Sequence, residues 1–98
     1  MSARPRVAVV FGGRSPEHPI SCLTAAGVVA VIDAARFDVV LVGLTRDGWW
    51  VRGDDPAEMT STGADGLPEV RAGQRQASPP GQPPSVLAEV DVVLPLLH

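Results

Sequence analysis

Within Gly12–Ser21, GGRSPEHPIS, stand most of the side chains of this 98-residue chain whose types and spacing could do chemistry. Glu17 can hold an ammonium group through a charge-assisted hydrogen bond. As a carboxylate in the first turn of a helix it is also favoured by the helix dipole, by about 0.3–1 kcal/mol. Gly12-Gly13 offers a ligand close approach to a backbone with exposed N–H groups, or is simply a tight strand-to-helix turn. Arg14 can bind an anion or pair with Glu17. Ser15 and Ser21 can contact a ligand, with helix capping as the ordinary use of such residues. His18 reads as a solvent-facing residue at a helix terminus, and Cys22 as a small apolar residue on the helix face. Far along the chain, His98 ends an apolar run and would stand at the same sheet edge as Gly12 if the two strands are parallel.

Other chemistries find no support. The segment lacks G-x-G-x-x-G, and a phosphate-binding loop of the G-x-x-x-x-G-K type is impossible because the chain has no Lys. Its two His, one Cys and scattered carboxylates show no metal-ligand spacing. The G-x-S-x-G elbow of a Ser-His-Asp triad is missing. Cys22 has no second cysteine to pair with, which suits a reducing compartment. A net charge of −3 with scattered Arg residues offers no basic stripe to nucleic acid or an anionic membrane. No apolar run nears the ~20 residues of a membrane span, and Met1–Arg6 lacks the apolar core of a signal peptide.

The elements that must position these residues follow from hydrophobic pattern. Arg6 to Phe11 predicts a strand covered on both faces, as in parallel sheets. Ser15-Pro16-Glu17 resembles a helix start, with Ser15 as N-cap, and Pro19 is a second candidate for the first turn. The helix is expected from about Ile20 to Ala34. Ile20, Leu23, Thr24, Gly27, Val28 and Val31 fall on one stripe, with Gly27 allowing close packing on the sheet. Phe37 to Leu44 predicts a second strand and hence a βαβ unit. Thr45-Arg46-Asp47-Gly48 is a turn, Trp49 to Val51 a returning strand with one ring inward and one at the rim, and Asp55 to Glu58 a short helix. Residues 60–85, rich in Pro and Gly, read as an exposed, flexible loop with a short strand near Leu67 to Arg71. Val86 to Glu89 suggests a helical turn, and Val90 to Leu97 another buried strand. A domain seldom stops at the end of a central strand, so a fragment of a longer protein is expected.

The order Gly12, Gly13, Ser15, Glu17, His18, Ile20, Ser21 after an apolar strand resembles the amino terminus of D-alanine–D-alanine ligases. The Thr-x-x-Gly-x-Trp pattern at Thr45, Gly48 and Trp50, and the strand VDVVLPLLH ending in His98, resemble later segments of that family in the same order. The resemblance implies an α/β, Rossmann-like (pre-ATP-grasp) fold with a mostly parallel sheet and flanking helices. Residues 1–98 would be the amino-terminal substrate-binding domain, truncated after the strand ending at His98, with the central and ATP-binding domains absent. Implied too is an ATP-dependent ligation of two D-alanines through an acyl phosphate, for peptidoglycan precursors. Glu17 would hold the ammonium of the first D-alanine, with Ser21 supporting it, His98 near the substrate, and Gly12 and Gly13 forming the close-approach turn. ATP and Mg²⁺ (or Mn²⁺) would be held outside these residues, so the chain alone is expected to be inactive. A cytoplasmic location and a homodimer of the full-length protein are implied as well. Pro19 stands where the family is often acidic or small. The alternatives are a ligase making D-alanyl-D-lactate and a non-catalytic flavodoxin-like module.

Overall fold

Val7 to Phe11 have no polar residue among them, and they take the most enclosed place available, the interior of a sheet. The computed structural model describes residues 4–63, 66–73 and 77–97. In chain order the elements are β1 (Arg6–Gly12), α1 (His18–Val31), β2 (Asp38–Leu44), β3 (Trp50–Gly53), α2 (Pro56–Met59), β4 (Thr60–Thr62), β5 (Pro68–Val70), β6 (Ala77–Ser78), a 3₁₀ turn at Ser85–Ala88, and β7 (Val92–Pro95). Five strands form one sheet in the order β6-β3-β2-β1-β7, and β4 and β5 form a separate hairpin. β1 is parallel to both β2 and β7, while β3 and β6 add antiparallel.

Strand alternation sorts the core into two layers. Val7, Val9, Phe11 and Leu41 point to one face, where Cys22 and Ala25 of α1, Met59 of α2 and Val70 of β5 cover them. Ala8, Val10, Val40 and Val42 point to the other, covered by Val86 of the 3₁₀ turn and by Trp50. The hairpin packs down because Gly43 has no side chain: a Cβ there would lie 2.8 Å from Val70 Cγ1. Trp50 is half-buried and Trp49 exposed, as the hairpin pattern predicts.

Four expectations are corrected. The helix starts at His18 and stops at Val31, because Asp33 opens a turn: its carboxylate accepts from Ala35 N–H and its carbonyl from Arg36 and Phe37 N–H. The stripe expected to face the sheet faces solvent instead. Ile20, Leu23, Gly27 and Val31 are exposed, and a Cβ on Gly27 would touch nothing. The buried residues are His18 and Pro19 in the first turn and then Ser21, Cys22 and Ala25, small side chains that let the helix axis approach the strands. Residues 60–85 are not all loop: the short strand expected near Leu67 to Arg71 is present as β5, but β4 and β6 lie there as well, and Val70 belongs to the core. Finally, β7 is a short edge strand rather than a buried one, with Val92 51% and Val93 46% exposed. Asp91 pins its start, accepting from Arg6 N–H through its carboxylate and donating its own N–H to the Arg6 carbonyl.

Candidate functional site

Parallel pairing brings the carboxyl ends of β1, β2 and β7 to one edge, at Gly12, Leu44 and Pro95. Open α/β sheets take their ligands at that edge. The chain turns there at Gly12 and Gly13, with φ of 91° and 97°. A Cβ on Gly12 would sit 2.3 Å from the Leu44 carbonyl oxygen, so only glycine fits.

The turn is tied down from three sides. Gly12 N–H donates to Ser21 Oγ at 2.8 Å, and that hydroxyl donates onward to the Leu96 carbonyl at 2.6 Å. Gly13 N–H donates to the Leu44 carbonyl at 2.9 Å. The exposed N–H groups expected at this turn are therefore engaged within the protein.

His18 departs furthest from its reading. It is wholly buried, not solvent-facing. Nδ1 lies 2.6 Å from the Gly13 carbonyl oxygen, and Nε2 accepts from Val70 N–H at 3.0 Å. A carbonyl oxygen can only accept, so the ring carries its proton on Nδ1 and keeps a lone pair on Nε2. Burial of so polar a ring is tolerable because both nitrogens are satisfied.

Glu17 occupies the N-cap position of α1, one residue before the first turn, and makes no side-chain capping bond. Its carbonyl accepts from Ser21 N–H, while its side chain is exposed at the sheet edge. Arg14 is exposed too, and the two form no ion pair. Ser15 caps a turn rather than the helix: Oγ accepts from Glu17 N–H and the carbonyl from His18 N–H. Pro19 sits in the first helical turn without disturbing it. His98 lies outside the described residues. Cys22 is buried, and burial pushes its thiol from the ordinary 9.0 up to about 11, against the pull of the Arg46 guanidinium.

A groove of about 550 Å³ runs between the turn after β2 and the β4–β5 hairpin, lined in part by Thr45, Trp49, Arg46, Glu69 and Arg71. Glu69 bridges both guanidinium groups, at 3.1 Å from Arg46 and 2.9 Å from Arg71. None of Gly12, Gly13, Glu17 or Ser21 lines it. No sequence signal marks it, since Arg46 and Glu69 meet only through the hairpin. Among the described residues, no three His, Cys, Asp or Glu side chains gather in a way that could hold a metal ion. No helix there is long and apolar enough to cross a membrane.

Residues 6–98 match a family model described as "D-ala D-ala ligase N-terminus". The chain is 52% identical to a D-alanine–D-alanine ligase of Kineococcus radiotolerans, over 97% of this chain and 29% of the relative. It is 46% identical to that of Streptomyces coelicolor, over 96% of this chain and 28% of the relative. The chain thus spans under a third of the length of these relatives. In fold it resembles the VanG D-Ala:D-Ser ligase of Enterococcus faecalis, with a TM-score of 0.64 and 23% identity over 98% of this chain and 29% of that one. It also resembles the D-alanine–D-alanine ligase of Coxiella burnetii, at 0.63 and 21% over 99% and 29%.

Proposed function

This chain belongs to the family of D-alanine–D-alanine ligase amino-terminal regions, and we propose that it contributes one wall of a D-alanine site to an ATP-dependent ligase. In this reading Glu17 binds the ammonium group of the first D-alanine. The observation that carries it is the family match across residues 6–98, which includes a carboxylate exposed beside a glycine corner at the ligand edge of the sheet.

The geometry suits that task. Ligation of two like amino acids needs orientation above all, since one must present its carboxylate and the other its amine. A carboxylate on a tied-down corner fixes the ammonium end of one substrate and so directs its carboxylate away, toward the phosphate donor. Ser21 acts through the corner: both its hydrogen bonds go to backbone, so it supports the site without touching the ligand. Gly12 and Gly13 let the substrate approach closely. His98, outside the described residues, is a further substrate-binding residue in this reading.

ATP with Mg²⁺ or Mn²⁺ supplies the activating phosphoryl group. The described residues include neither a cluster of metal ligands nor a lysine, so no step is assigned to them. The same reading includes a cytoplasmic location, a homodimer of the full-length protein, and neither nucleic acid nor membrane as partner.

The test is phosphate release from ATP by the full-length product of the reading frame that contains these residues. It should depend on D-alanine and yield the dipeptide, with the 98-residue chain alone inactive. A full-length protein that releases no phosphate with D-alanine overturns the reading. Product formed preferentially when D-lactate replaces the second D-alanine would favour the depsipeptide alternative.

A further inference from the structure

We propose that His18 is a positioning residue of the D-alanine site, acting through the Gly13 carbonyl it holds; the proposal rests on the ligase reading above. Three observations carry it. His18 is 0% exposed, the only imidazole among the described residues, and follows Glu17 directly in the chain. Its two ring nitrogens face groups from two different parts of the fold, the Gly13 carbonyl at 2.6 Å and Val70 N–H at 3.0 Å. Those two bonds require one tautomer, with the proton on Nδ1.

The consequence for the site is geometric. The six residues from Gly13 to His18 form a loop closed twice by His18: its Nδ1 bonds the Gly13 carbonyl, and its N–H donates to the Ser15 carbonyl at 2.9 Å. Glu17 lies inside that closed loop. With Gly13 N–H bound to the Leu44 carbonyl and its own carbonyl held by His18, both backbone groups of Gly13 are fixed, and the path of the chain to Glu17 is set. Hydrophobic contacts cannot do this, because Arg14, Pro16 and Glu17 are all exposed. The bond to Val70 has a different effect. It fastens the β4–β5 hairpin over the helix start, so it should matter for stability and little for the direction of Glu17.

The two bonds can be separated by substitution in the full-length protein. Asparagine places its amide nitrogen at the same distance along the side chain as Nδ1, so His18→Asn keeps the donor to Gly13 and loses the acceptor for Val70. Glutamine reaches as far as Nε2, so His18→Gln keeps the acceptor and loses the donor. A carboxylate that binds the ammonium equally in ground and transition states is felt in KM. His18→Gln should therefore raise KM for the first D-alanine by about tenfold, with kcat changed less than about threefold. His18→Asn should stay within about threefold of the parent in both constants. A purely structural histidine predicts the two variants alike, since each loses one buried hydrogen bond, and equal kinetics for the two overturn the proposal.

A parent protein without D-alanine-dependent turnover overturns the ligase reading and the positioning role together. An active parent matched by both variants overturns the positioning role alone. If neither variant folds, the parent labelled with ¹⁵N-histidine decides. The His18 ring should show Nδ1 protonated and Nε2 unprotonated, and its Nδ1 signal should shift on addition of D-alanine. An Nε2-protonated ring, or an Nδ1 signal unmoved by saturating D-alanine, overturns the proposal.

Discussion

Ser21 Oγ donates to the carbonyl oxygen of Leu96 at 2.6 Å, across 75 positions of chain, and accepts from Gly12 N–H at 2.8 Å. One hydroxyl thereby joins the end of β1, the start of α1 and the residue after β7. The Gly12 N–H is buried and the Leu96 carbonyl half-buried, so the hydroxyl satisfies a donor the fold would otherwise strand and an acceptor that water reaches only in part.

Ser21→Ala should lower the stability of the chain by about 2–4 kcal/mol, because it leaves a donor and an acceptor unpaired at once. Urea unfolding measures this as a lower midpoint. A midpoint within error of the parent would mean that water replaces the hydroxyl.

Gly12→Ala and Gly27→Ala should move stability in opposite directions. At Gly12 the φ of 91° and the Leu44 carbonyl 2.3 Å from a Cβ cost at least about 2 kcal/mol. At Gly27 a methyl group meets nothing, so the change gains about 0.5–1 kcal/mol of helix propensity. The two unfolding midpoints, on either side of the parent's, are the check.

On the ligase reading, Glu17→Gln in the full-length protein should raise KM for the first D-alanine about 10- to 100-fold, the worth of a charged hydrogen bond. The exposed side chain pairs with no other described residue, so unfolding should shift by less than about 0.5 kcal/mol. Unchanged KM with unchanged stability would remove Glu17 from the site.

Cys22 should resist thiol reagents in the folded chain and react only as it unfolds. Its folded pKa of about 11 exceeds the unfolded 9.0 because of burial. Between these values the unfolded state holds fewer protons than the folded one, so stability falls as pH rises. The contribution is complete below about pH 9 and lost by about pH 11. Cys22→Ala should flatten that slope in unfolding curves recorded across the same range.

Much of the fold was legible in the chain. β1 and β2 are nearly pure runs of Val, Leu and Phe, which fit a doubly covered parallel pair. Asp55 and Pro56 announce α2, and the Asp55 carboxylate does accept from Ala57 N–H. The Gly12-Gly13 corner was legible as a corner, though not that its N–H groups are engaged. The groove beside Arg46 was not legible, because Glu69 reaches Arg46 only once the hairpin is docked.

Local pattern thus determined the order of elements, the parallel centre and the place of the glycine turn, since each depends on residues within a few positions of one another. Tertiary structure alone decided which face of α1 is buried. The helix is apolar around most of its circumference, so periodicity does not select a side. The side that meets the sheet carries Ser21, Cys22 and Ala25, and Ile20 and Leu23 point outward. That same rotation carries His18 inside, where Val70, 52 positions further on, supplies the partner its second nitrogen needs.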